Sequence, residues 1–153
     1  MSSSLMTRAA TAVAVLVLSA PVLAHIRATP RESSPGATET YAFRVPSERG
    51  LTTVGVVLDV PDGVTIVSVT APDGATHAEK TEAGRIVQVT WTIRIAPGDV
   101  AQLGIVAKNP ARGESIIWKV HQMYADGPVS DWVGAEGTPN PAPLTTLVKP
   151  DAK

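Results

Sequence analysis

Apolar and polar residues alternate with a period of two through most of the chain beyond residue 39. Thr40 to Val45 sets Tyr41, Phe43 and Val45 on one face and Ala42 and Arg44 on the other. Val54, Val56, Leu58 and Val60 alternate with Gly55, Val57 and Asp59, and Val64 to Thr70 is a β-branched run. Ile86 to Ile93 puts Val87, Val89, Trp91 and Ile93 on one side; Leu103, Ile105 and Ala107 follow. Ser115 to Tyr124 sets Ile116, Trp118, Val120, Gln122 and Tyr124 against Ile117, Lys119, His121 and Met123. Val129 to Val133 and Leu144 to Val148 are the last short runs. Alternation with β-branched enrichment is the mark of half-buried strands. Turn signals such as Pro61-Asp62-Gly63, Pro72-Asp73-Gly74, Pro97-Gly98 and Asp126-Gly127 separate the runs and break up any long helix. The pattern predicts an all-β fold, a single β-sandwich of about seven to eight strands. Gly74 to Glu82 is polar and reads as a solvated loop around His77. Gly134 to Pro143, with three prolines, reads as an extended surface segment.

The first residues follow another pattern. Met1 to Arg8 carries one cation and no acid, Ala9 to Leu18 is apolar, and Val22-Leu23-Ala24 offers a small-residue cleavage site. The apolar run falls short of the roughly 20 residues that span a bilayer. The expected organisation is a cleaved signal peptide over residues 1–24, a sandwich domain over 25–148 and a flexible tail over 149–153. The mature protein is then periplasmic or extracellular. Cleavage after Ala20 is the competing site and would leave Pro21 first.

Composition narrows the chemistry. The formal net charge is −1 and no basic cluster is present, which argues against nucleic acid and anionic membranes. The chain has no cysteine, so disulfides and thiolate sites for Cu(I), zinc or iron–sulfur clusters are excluded. Met1 and Met6 belong to the signal, leaving Met123 as the one thioether of the domain. No nucleophile elbow or glycine-rich phosphate loop occurs. A metal would be held by nitrogen and oxygen.

Cleavage after Ala24 makes His25 the first residue. Its α-amine and imidazole Nδ1 then close a chelate ring on one residue. The amine has an ordinary pKa of roughly 8, so binding displaces a proton near neutral pH. Cu(II) tolerates that best, heading the divalent affinity order and favouring tetragonal nitrogen and oxygen donors. The plain alternative is a terminal histidine in solvent. Glu32, Glu39 and Glu48 flank the first alternating run and are candidate carboxylates, although Glu48 reads equally as a surface partner of Arg49. His121 is either an exposed strand histidine or a second imidazole for the site. Trp91 and Trp118 fall on apolar faces and read as core. Trp132 lies opposite Val129, Asp131 and Val133, either roofing a metal site or packing at the rim.

From His25 onward these segments resemble the YcnI-like domain family. The likeness is carried by His25-Ile26, Pro30 to Gly36, Glu39-Thr40-Tyr41, Phe43 to Pro46 with Glu48-Arg49, and Val60 to Val64. It continues through Val89-Thr90-Trp91, Lys108-Asn109-Pro110, Ile117-Trp118-Lys119, Gln122-Met123-Tyr124, Asp131 to Gly134 and Pro139 to Thr146. The resemblance implies an exported cupredoxin-like or immunoglobulin-like sandwich with a mononuclear Cu(II) site on the N-terminal histidine. By position it implies His25, Glu48 and Trp132, with Glu39 or Glu32 as second carboxylate. It further implies copper homeostasis or trafficking rather than catalysis. By family analogy the partner is a membrane copper transporter or another copper carrier. Many relatives have Gly-Trp where this chain has Gly74-Ala75, so that tryptophan is missing here. Two other classes stay open: an oxidative, polysaccharide monooxygenase-like copper enzyme, which would need a second histidine, and a metal-free structural or adhesive sandwich.

Overall fold

The computed structural model describes residues 25–48 and 50–150. The signal peptide expected over 1–24, Arg49 and the end of the tail lie outside the described residues. Among those described there are twelve strands and no helix. They are β1 (Arg27–Thr29), β2 (Glu32–Ser33), β3 (Thr38–Pro46), β4 (Thr53–Asp59), β5 (Thr65–Thr70) and β6 (Thr76–Glu82). The chain continues through β7 (Arg85–Ile95), β8 (Val100–Lys108), β9 (Ser115–Ile117), β10 (Lys119–Tyr124), β11 (Val129–Trp132) and β12 (Leu144–Leu147).

A four-stranded sheet, in the order β1-β3-β8-β5, faces a five-stranded sheet in the order β11-β10-β4-β7-β6. A small third sheet, β2-β12-β9, closes one side. The expected all-β sandwich is what the chain forms. Tyr41, Phe43 and Val45 of β3 meet Val89 and Trp91 of β7 and Trp118 in one continuous core. Trp118 is fully buried, with its ring centroid 4.9 Å from that of Tyr41 and 5.3 Å from that of Phe43. Its indole nitrogen donates to Thr145 Oγ1 at 3.1 Å, so the large ring is buried with its polar atom satisfied.

Three local expectations are corrected. The run Ser115 to Tyr124 is two strands, because Trp118 N leaves the ladder to donate to Pro143 O at 2.9 Å. The polar stretch around His77 is the strand β6, exposed along its whole length, which pairs with β7 from Thr76↔Thr92 to Glu82↔Arg85. Gly134 to Pro143 is not simply extended. Gly134 N donates to Asn140 O and Ala142 N to Gly134 O, at 3.0 and 2.9 Å, which folds the segment into a closed loop. A β-carbon at Gly134 would collide with Thr138 Oγ1, so only glycine permits that closure.

Candidate metal centre

His25 and Ile26 lead into β1. Ile26 and Ala28 are each 2% exposed and anchor this short strand in the core. β1 runs antiparallel along the edge of β3, with Arg27↔Arg44, Ala28↔Phe43 and Thr29↔Ala42 in register. Continued by two residues, that register brings His25 level with Pro46, the last residue of β3. The imidazole is half-buried and meets Trp132 edge-on, with ring centroids 5.9 Å apart and planes at 60°.

Trp132 is held from below. It pairs with Val120 across β10 and β11, and its Nε1 donates to Gln122 Oε1 at 3.1 Å. Gln122 is fully buried, and its Nε2 donates to Pro46 O at 2.8 Å and Thr53 Oγ1 at 2.7 Å. Thr53 Oγ1 passes its own proton to Ser47 Oγ (2.8 Å), which in turn donates to Leu51 O at 2.7 Å. Ser47 is fixed further by Asp99 O and Gly98 N, at 2.9 and 2.8 Å. Each buried polar group here has a partner, as a rigid network requires. Glu48 leaves this corner directly after Ser47 and is half-buried. The fold thus brings His25, Trp132 and the Pro46–Glu48 segment to one end of the sandwich.

The other candidates are placed elsewhere. Glu39 lies seven residues from Pro46 along β3, about 23 Å at a rise of roughly 3.3 Å per residue. Its Oε2 accepts from Ser33 Oγ at 2.7 Å, and Ser33 accepts from Asn109, which also takes the Tyr41 hydroxyl proton. Glu39 thus serves a hydrogen-bond network at the opposite end, and it is not brought to His25. Glu32 is exposed on β2, paired with Thr146, and is not brought there either. His77 sits on β6, 3.8 Å from Glu79. His121 is clamped by two carboxylates: Nδ1 lies 2.6 Å from Asp131 Oδ1 and Nε2 lies 2.9 Å from Asp59 Oδ2. Both ring nitrogens are engaged, so His121 has none left for a site with His25. Among the described residues no group of three or more His, Cys, Asp or Glu is gathered as a metal cage.

Residues 25–147 match the family described as a domain of unknown function, DUF1775. The chain belongs to that family. The DUF1775 match begins at His25, the residue that packs on Trp132, and the resemblance drawn from the sequence holds. The chain is 35% identical over 136 residues to the copper-binding protein CutI of Bacillus subtilis, covering 87% of this chain and 67% of CutI. An uncharacterized protein from Nocardia farcinica with an immunoglobulin-like fold superposes with a TM-score of 0.71 at 25% identity, over 82% of this chain and 99% of that one. A non-cellulosomal cohesin from Archaeoglobus fulgidus shares the fold at a TM-score of 0.50 and 11% identity, over 82% of this chain and 91% of that one.

Two features of this DUF1775 chain carry no functional signal in its sequence. Gln122 was visible as a polar residue on the interior face of an apolar strand, a position that demands buried partners. The Asp59–His121–Asp131 clamp joins three separate strands, and only the registers Val57↔His121 and His121↔Asp131 bring it together.

Proposed function

We propose that the protein is exported, trimmed after Ala24, and binds Cu(II) as cargo in copper homeostasis or trafficking. His25 supplies its α-amine and Nδ1. Glu48 supplies a carboxylate oxygen, and Trp132 shields the ion from water. The observation that carries this reading is the packing of the His25 ring on Trp132, itself tied through Gln122 to the corner from which Glu48 emerges. The donor set fits: nitrogen and oxygen ligands suit Cu(II), and no soft sulfur is required. The copper-binding name of CutI supports the same metal.

Binding is favoured over catalysis because neither His77 nor His121 reaches the site. The partner we assign, a copper transporter or carrier, rests on family analogy.

The test is Cu(II) titration of protein beginning at His25, beside a variant with one glycine added in front. The chelate needs a primary amine on the histidine itself. Tight binding and its nitrogen-rich EPR signal are expected only without the added glycine. Equal affinity in both would remove the amine from the ligand set.

A further inference from the structure

Resting on that reading, we infer that the protein takes its copper together with a small organic dicarboxylate, bound in a cavity beside His25. The cavity measures about 260 Å³ and opens against His25. Its walls include Arg27, Arg31, Ile117, Glu136, Pro143 and Leu144. One side is the closed loop around Gly134, hydrogen-bonded to itself and therefore a standing wall.

Three observations point to an anionic ligand that also touches the metal. First, Cu(II) favours a tetragonal set of nitrogen and oxygen donors. Processed His25 supplies two and Glu48 a third, and the described residues gather no larger cluster of His, Asp or Glu. That leaves a coordination position for an oxygen donor from outside the protein. Second, Arg27 and Arg31 both line the cavity, and neither enters an ion pair among the described residues. Glu136 is the one acid on the wall, so the fixed charge there is net positive. Third, Arg27 stands directly opposite Arg44 across the β1–β3 ladder. Like charges placed opposite each other destabilise a strand pair, and a bound anion would relieve that repulsion.

A dicarboxylate meets both demands. One carboxylate takes the forked N–H donors of the arginines, which suit planar oxyanions. The other replaces a water on the copper held at His25. The apolar stretch formed by Ile117, Pro143 and Leu144 accommodates the short carbon chain between them. Copper would then arrive and leave as a ternary complex with the acid, not as a bare ion.

The experiment uses protein beginning at His25, loaded with one equivalent of Cu(II) and titrated with succinate. EPR and the visible d–d band are followed, with propionate as the single-carboxylate control. A saturable spectral change is expected with succinate and a much weaker one with propionate. R27A/R31A should load copper normally yet bind succinate about tenfold or more weakly. Both positions are exposed, and R94A, on another face, serves as the control for a general loss of charge. Normal loading with an unmoved spectrum overturns the inference and leaves the copper site standing. So does a change that survives R27A/R31A, or succinate simply stripping the copper. Failure to load copper at all removes the underlying reading, and the inference with it.

Discussion

At the scale of single residues, the structure separates two glutamates that look alike in sequence. Glu39 lies near the start of β3 and Glu48 two residues past its end. Glu48→Gln should weaken Cu(II) binding about tenfold, or roughly 1.4 kcal/mol. Glu39→Ala should leave the copper titration unchanged and lose about 1 kcal/mol in urea denaturation, from the broken Ser33 hydrogen bond. Gln122 carries a larger structural cost. Gln122→Leu leaves buried Trp132 Nε1 without its acceptor and removes one hydrogen bond each from Pro46 O and Thr53 Oγ1. Leaving buried groups unpaired should cost about 2–4 kcal/mol in urea denaturation. The expected cleavage site singled out His25 and the family resemblance joined Trp132 and Glu48 to it, but alternation alone could not separate Glu48 from Glu39 and Glu32, because pattern says which face a residue takes and not which end of a sandwich it reaches.

At the scale of strands, legibility followed burial. β3, β4, β7, β8 and β10 put apolar side chains on one face, so their alternation was written in the chain. β6 has no buried face, and Thr-His-Ala-Glu-Lys-Thr-Glu carries no alternation to read. Its pairing is dictated by the β7 edge instead. β1 and β2 are too short to show a period. The clamp joining β4, β10 and β11 has a pH signature. Burial lowers the His121 pKa, but hydrogen bonds to Asp131 and Asp59 outweigh it and hold the imidazole above its usual range. Asp59 is pushed up by burial, yet Gln88, His121 and the nearby Lys119 charge hold it below the ordinary carboxylate range. The His121 contribution is fully present below the unfolded histidine value of about 6.5. It is lost as pH rises through the higher folded value. Asp59 contributes above its unfolded value of about 3.9 and loses that contribution as pH falls through its depressed folded value. Urea midpoints should therefore drop from mildly acidic to mildly alkaline pH by an amount worth at most about 1 kcal/mol, given the partial exposure. In His121→Gln that drop should vanish.

At the scale of the whole molecule, the core is continuous between the two large sheets and built of apolar side chains. The copper-free protein should therefore keep its β-type circular dichroism and a cooperative urea transition in the presence of a chelator. Saturating Cu(II) should then add stability by mass action, about 2.7 kcal/mol when free metal is a hundredfold above Kd. Loss of the fold on chelation would contradict this account. The way β1 is seated has one more result. Exopeptidases need a loose, extended end to draw into their own clefts. In the trimmed protein the bond after His25 is guarded, since Ile26 is buried and the next three residues are laced to β3. If the protein is exported and trimmed as proposed, the packing that aims the imidazole should also protect it from being clipped off, at a rate set by how seldom that first strand peels away.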